Sequence, residues 1–360
     1  FLIFNFSFLI GAAQWYDPEK VNKKAGDIYG QAVEEAQERN FAASIKHLNE
    51  ALALDAKFVD VLLTRSNVYA ELKDYKASVS DFETAMQMDS VYSKVYLLPY
   101  SISLAGAGKF QQALNAVNEF LANPKLNPQS IKAGNYRKSV YTFAVDYEKK
   151  HPVKDYVFAP ANLGENINSK DLEYFPSLTI EGTKMIFTRR VDNKDEDFYE
   201  SNFADGKWNM AQPIAGKVNT NLNEGAQNIS QDGQLLIFTG CNYPEGQGSC
   251  DLYFSVKTNN GWSEAQNLGP VINTDFWESS PSLSPDKRDL YFASSRAGGF
   301  GGRDIWVTHR LPSGKWSRPE NLGEAVNTSG DEGCPFMHAD NETLYFNSNG
   351  HPGYGMTDLF

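Results

Sequence analysis

Apolar and polar positions follow two different periods along this chain. From about residue 25 to residue 124, apolar residues recur three and four apart, the spacing of one helix face. From about residue 170 onward, short segments alternate apolar and polar residues one by one, bounded by Gly, Pro, Asn and Asp, as half-buried strands do. The clearest stretch runs up to a Pro285-Asp286 turn and resumes as Asp289-Leu290-Tyr291-Phe292-Ala293-Ser294-Ser295. A Gly-rich turn, Gly298 to Gly302, leads to a third strand, Asp304 to Thr308. A Ser313-Gly314 turn then opens a fourth strand led by Trp316. The pattern predicts a multidomain chain, α first and all-β after.

Both halves repeat. Trp208, Trp262 and Trp316 are 54 residues apart. Asp197, Asp251, Asp304 and Asp358 keep nearly the same step, as do Asn168, Asn219, Asn273 and Asn327, and Glu173, Glu224, Glu278 and Glu332. A period near 50 with four short strands per unit is that of a β-propeller blade. Four blades are legible, the last reaching only its third strand at Asp358-Leu359-Phe360. Val157 to Gly164 aligns with Trp316 to Gly323, so the β region is expected to open on an outer strand that completes a blade lying beyond Phe360.

In the helical half, Phe41, Tyr75 and Phe110 lie 34 and 35 residues apart. Each is followed by a small residue three later (Ser44, Ser78, Ala113), a bulky one four later (Leu48, Phe82, Val117), and a third position (Ala51, Ala85, Phe120) that is small in two copies. That is the second helix of a tetratricopeptide (TPR) hairpin, the start of an α-solenoid. Ser66-Asn67-Val68-Tyr69 falls where the first helix makes its small-residue contact. Asp55, Asp89 and Pro124 close the units, and a capping helix is expected near Ser130 to Lys150. The expected domains are a partial signal peptide (1–13), a linker (14–24), a TPR domain (25–150) and the propeller (151–360). The signal is read from the apolar run Phe1 to Ile10 and the small residues Gly11-Ala12-Ala13 before Gln14, and it implies export.

A formal charge of −12 and a pI near 5.0 argue against nucleic acid and anionic membrane surfaces as partners. The acidity reads as solubility. Cys241 and Cys250 flank one turn and are candidates for a disulfide in an oxidising compartment. Cys334 occupies the slot of Ser280 and is expected to be a small core residue.

No motif specifies chemistry. The histidines, His47, His151, His309, His338 and His351, sit in no metal or nucleophile context, and His338 is expected at a surface turn. The repeated glutamates could suggest paired catalytic carboxylates. A residue present in every blade performs the same task in every blade, however, so they are read as structural. The repeated asparagines, each followed by Ser or Thr, read as turn caps. Asp192 to Asp197 lacks calcium-loop spacing and reads as a solvated hairpin tip. Gly298 to Gly302 joins two strands and reads as a tight hairpin with positive-φ positions, since a phosphate cradle would need a following helix. No cofactor and no metal are expected.

The run Ser284 to Trp306 resembles the WD40-like propeller repeat of TolB-type proteins. The segments Trp262 to Thr274 and Trp316 to Thr328 are similar to the variant found in periplasmic Bacteroidota proteins, in which a signal peptide, TPR units, the propeller and an OmpA-like domain follow one another. The second blade departs, with Gln231-Asp232 for Pro285-Asp286 and Ile214-Ala215-Gly216 for Asn267-Leu268-Gly269; the first has Glu181-Gly182 at its turn. The resemblance implies a non-enzymatic periplasmic scaffold of the outer membrane. Protein partners would sit in the TPR groove and on the propeller face, membrane association would be indirect, and peptidoglycan would be reached only through an OmpA-like domain absent from these residues. Two alternatives stay open. One is a propeller gating a downstream hydrolase, and the other is a glycan-binding propeller with aromatic platforms around its channel.

Overall fold

The computed structural model describes residues 21–152 and 159–360. The expected signal peptide, linker residues 14–20 and the start of the outer strand at Val157-Phe158 fall outside them. The chain divides into two compact units, Phe1–Lys154 and Asp155–Phe360. No helix among the described residues is long and apolar enough to cross a membrane.

The first unit is built of paired helices: α1 (Lys23–Gln37) with α2 (Phe41–Leu54), α3 (Val59–Glu71) with α4 (Tyr75–Met88), and, after a short α5 (Ser90–Ser93) and a 3-10 turn, α6 (Leu97–Gly106) with α7 (Phe110–Leu121). The long α8 (Pro128–Lys150) covers α7. The aromatics Phe41, Tyr75 and Phe110 are the first residues of α2, α4 and α7. The preceding residues, Asn40, Asp74 and Lys109, are the N-caps, and the Asp74 carboxylate accepts the Ala77 N–H at 3.1 Å.

The small positions are where helices touch. Ser44 donates to the Ala32 carbonyl at 2.8 Å, and Ser78 shares its hydroxyl with Ser66 (3.1 Å) and Ser103 (2.8 Å). A serine there is as small as alanine, and its buried hydroxyl is satisfied. Phe120 breaks the small-residue pattern, and the opposing helix compensates. Gly134 of α8 lies so close that an added Cβ would meet Leu121 at 2.6 Å and Phe120 at 3.2 Å.

The second unit holds four blades. Blade 1 is β1 (Leu172–Leu178), β2 (Lys184–Val191) and β3 (Asp195–Ala204), with the two-residue strands β4 (Lys207–Trp208) and β5 (Gln212–Pro213) on β3. Blade 2 is β6 (Asn223–Ile229), β7 (Leu235–Cys241) and β8 (Cys250–Thr258), with β9 (Gly261–Trp262) and β10 (Gln266–Asn267) on β8. Blade 3 is β11 (Glu278–Leu283), β12 (Asp289–Ser294), β13 (Asp304–His309) and β14 (Glu320–Asn321). Blade 4 is β15 (Glu332–Met337), β16 (Leu344–Ser348) and β17 (Asp358–Leu359). All pairings within blades are antiparallel, and the first strands β1, β6, β11 and β15 lie side by side.

The fourth strand differs from expectation. The tryptophan does not lead it. Trp208 and Trp262 close a hairpin on the third strand, Trp316 makes a lone bridge to Arg310, and the pairing that defines strand four begins four residues later. Trp262 is 2% exposed, and its backbone bridges to Gly216 of blade 1, while Trp208 and Trp316 are half-buried. Residues 159–164 carry no strand.

Every first strand carries a bulge. The ladder slips between Tyr174 and Ser177, Gly225 and Asn228, Ser279 and Ser282, and Gly333 and Phe336. Phe175, Ala226, Ser280 and Cys334 occupy it with φ of 50°, 48°, 54° and 47°. Cys334 is therefore not a core residue but a half-buried one at a bulge.

Candidate functional site

The polar letters that recur along the propeller converge on the ends of the blades where the chain passes from one blade to the next. They do so because the fourth strand is only two residues long. In blade 2 it pairs Gln266 with Phe254 and Asn267 with Tyr253, and the Leu268 N–H donates to the Leu252 carbonyl at 3.0 Å, leaving the Leu252 N–H without a backbone partner on that side. Asn273 supplies one. Its Oδ1 accepts the Leu252 N–H at 2.8 Å, and its amide donates to the Leu252 carbonyl at 3.0 Å. Asn219 does the same for Phe198 (3.0 and 3.0 Å), and Asn327 for Ile305 (2.7 and 2.9 Å). These asparagines are thus backbone clamps on the third strand rather than turn caps. Asn168 makes no such clamp among the described residues; its amide donates to Asn162 at 2.9 Å.

The glutamates complete the same turn. Thr220, Thr274 and Thr328 each donate a backbone N–H and a hydroxyl to Glu224, Glu278 and Glu332, at 2.5–3.0 Å. Ser169 does so for Glu173. What differs between blades is the donor from further along the chain. It is Arg189 at 2.8 Å in blade 1, the Tyr243 hydroxyl in blade 2, Ser294 at 2.8 Å with Arg296 at 3.2 Å in blade 3, and Ser348 at 2.5 Å in blade 4. Burial pushes the Glu224 carboxyl above the usual carboxylate range. Arg296 also donates to the Ile272 carbonyl at 2.6 Å, and the guanidinium lies over the Phe292 and Trp306 rings. Arg189 reaches the equivalent Ile167 carbonyl at 2.8 Å, and in blade 4 His351 Nε2 lies 2.8 Å from that of Val326.

The repeated aspartates tie the loop after the second strand. Asp251 accepts N–H groups of Gln247 and Gly248, Asp304 that of Phe300, and Asp358 that of Gly355. In blade 1 the loop shrinks to a three-residue tip, Asp192 to Lys194, in which Asp192 and Asn193 have φ of 49° and 57°. Cys241 and Cys250, paired across β7 and β8, are joined in a disulfide at the base of the blade 2 loop. Gly298 to Gly302 forms a long loop instead of a tight hairpin. Only Gly298 has a positive φ; Gly302 donates to the Gly330 carbonyl of the next blade at 2.9 Å.

Two further repeats escaped sequence reading. Ser201, Ser255 and Thr308 of the third strands donate to the carbonyls of Asn209, Ser263 and Ser317 at 2.6–2.8 Å. Ser177, Asn228 and Ser282 accept the N–H of Ile229, Leu283 and Met337 in the next blade at 2.9–3.1 Å. Both sets keep the 50-residue step, which was the signal available.

The histidines are scattered. His47 and His309 pair with Glu35 and Asp289, each at 2.7 Å, and His338 is exposed at the β15–β16 turn. No group of three or more His, Cys, Asp or Glu among the described residues could hold a metal ion. In the helical unit, buried Asp60 accepts from the Tyr92 hydroxyl at 2.5 Å, and burial raises its carboxyl. An open groove of about 500 Å³ between α4 and α7 is floored by α6, with Tyr100 stacked on Phe82 at 4.0 Å.

No protein-family model matches the sequence, and no curated protein does. Among solved structures the chain is similar to a putative TolB from Agrobacterium tumefaciens (TM-score 0.36, 16% identity, 53% of this chain and 58% of that one). It is similar to TolB from Acinetobacter baumannii (TM-score 0.36, 14% identity, 64% and 56%). It is also similar to the second TPR domain of human RPAP3, solved with an HSP70 peptide (TM-score 0.30, 16% identity, 32% and 96%). The chain thus spans little more than half the length of the two TolB structures.

Proposed function

We propose that this chain is a non-enzymatic interaction scaffold. One observation carries the reading. Glu173, Glu224, Glu278 and Glu332 are each engaged in the same serine or threonine turn, so the repeated carboxylates are occupied in holding blades together. An active site needs groups in unequal roles. The Cys241–Cys250 disulfide supports an oxidising compartment. With the apolar start of the sequence and the resemblance of its blades, this favours a periplasmic, outer-membrane-associated, PorE-like protein. On this reading it serves a machine for type IX secretion, gliding or a related assembly, and an OmpA-like domain reaches peptidoglycan. Stacked helical repeats and a propeller both present broad surfaces suited to protein partners.

The test is affinity capture from a periplasmic extract, using the intact chain and a version lacking residues 25–150. The scaffold reading expects outer-membrane proteins on the intact bait, with some lost when the helical unit is removed. Recovery of none on either bait sinks it.

A further inference from the structure

The loops after the second strand in blades 2, 3 and 4 share a Gly-x-Gly triplet: Gly246-Gln247-Gly248, Gly299-Phe300-Gly301 and Gly353-Tyr354-Gly355. In blades 2 and 3 both glycines are closed to side chains. A Cβ on Gly299 would run into the Asp304 carboxylate, and one on Gly301 into the Thr328 and Gly330 carbonyls of the next blade. Gly246 meets Asp251 at 2.7 Å, and Gly248 meets the Phe276 carbonyl. The aspartate also accepts the N–H of the middle residue, at 2.6 Å for Gln247 and 3.0 Å for Phe300. The middle residue therefore stands on a fixed pedestal, and only its own side chain remains free to vary.

Blade packing does not require that side chain to be aromatic, since blade 2 carries Gln247 there. Yet Phe300 is 51% exposed, and Tyr354 in the same position of blade 4 is 40% exposed. Phe276, against whose carbonyl Gly248 sits, is 47% exposed. The contacts are continuous around this rim: Gly248 abuts Phe276, and Arg303 lies over the neighbouring Trp277 ring at 5.4 Å. The surround is acidic, with Glu245, Asp275 and Glu324 exposed and Asp331 half-buried. The arginines of these loops, Arg296 and Arg303, are already paired with Glu278 and Asp331.

Charge follows the same division at larger scale. Residues 21–152 hold 16 Lys and Arg against 15 Asp and Glu, whereas residues 159–360 hold 15 against 27.

We propose that this rim is a docking surface for a basic protein segment bearing apolar side chains, with Phe276 and Phe300 as its anchors. Aromatic groups on a rigid backbone bind at low entropic cost, and an acidic surround speeds and selects a cationic partner. The proposal rests on the scaffold reading and names the class of partner.

The probe is a labelled synthetic peptide of alternating Lys and Leu, titrated against the intact chain by fluorescence anisotropy. A Lys-Ser peptide and a Glu-Leu peptide serve as comparators. The paired substitution Phe276→Ser with Phe300→Ser is expected to weaken binding roughly tenfold or more. Glu245→Lys with Asp275→Lys should weaken it and flatten its salt dependence. Leu311→Ser, on a turn at the opposite end of the blades, should leave it unchanged. Phe300→Gln, which copies blade 2, keeps the test available if the serine pair fails to fold. Equal binding by all folded variants, or a Glu-Leu peptide binding as tightly as the Lys-Leu one, overturns the rim. In the capture experiment, an empty intact bait counts against the scaffold, while partners retained equally by the phenylalanine variants count against this surface alone.

Discussion

The helical unit and the propeller are both built from repeats, but they keep different kinds of residue constant. In the helical unit the repeated positions are small or apolar, Ser44, Ser78 and Ala113 beside Leu48, Phe82 and Val117, and they touch the helices next to them in sequence. In the propeller the most regular letters are polar and mostly buried: Asn273, Glu278, Asp304 and their counterparts. The difference follows from backbone chemistry. A helix satisfies its own N–H and C=O groups, so its repeats need only shape. A blade whose fourth strand spans two residues leaves a third-strand N–H unpaired, and a side chain must supply the missing partner.

The strongest way to break this comparison is Glu278→Ala. It leaves Arg296 buried without a carboxylate, and a broken buried pair costs about 3–5 kcal/mol. Urea unfolding followed by tryptophan fluorescence should show the propeller transition shifted strongly, while the helical signal by circular dichroism stays in place. An unmoved propeller midpoint would mean the carboxylates are ornamental. Next in size is Asn273→Ala, which orphans the Leu252 N–H and removes one of two donors to its carbonyl, and should cost about 2–3 kcal/mol. Asn168→Ala, the same letter without the clamp, should cost less than about 1 kcal/mol. Equal losses at the two sites would refute the clamp.

Removing the disulfide by Cys241→Ser with Cys250→Ser should lower propeller stability by about 2–3 kcal/mol, given the short loop it closes. Differential scanning calorimetry with and without reductant checks this, and a reductant-insensitive wild-type trace would contradict it. The smallest effect concerns pH in the helical unit. Burial raises the folded-state carboxyl of Asp60, so its ionised form opposes folding. Stability from this group therefore falls as pH rises from the unfolded carboxylate value through the raised folded one, and stays low above it. Asp60→Asn should flatten that fall in thermal melts taken between acidic and neutral pH. A variant tracking the wild type across the range would rule it out.

Much of this was legible in the residues. The aromatics Phe41, Tyr75 and Phe110 mark helix starts to the residue, and Asp289 and Asp304 open strands where the alternation placed them. The fourth strand is less legible, because the tryptophan has the higher strand propensity while the pairing residues are the plainer Gln266-Asn267 and Glu320-Asn321. Glycines 299, 301 and 302 read as backbone freedom in the sequence, whereas close approach to Asp304, Gly330 and Asp331 is what excludes a side chain. The bulges carry no shared letter, since their positive-φ positions are Phe175, Ala226, Ser280 and Cys334 and none is a glycine.

By itself the sequence determined the periods, the order of helices before strands, and which letters recur at each step. Those are properties of local spacing, which dihedral preference and alternation reveal without knowledge of neighbours. Only the tertiary structure decided what each letter does. The group that Asn273 satisfies lies 21 residues back in another strand, and the side chain that Leu283 leans on, Asn228, is 55 residues away in another blade. A buried polar residue takes its role from the unpaired group it meets, and that meeting exists only once the blades are assembled.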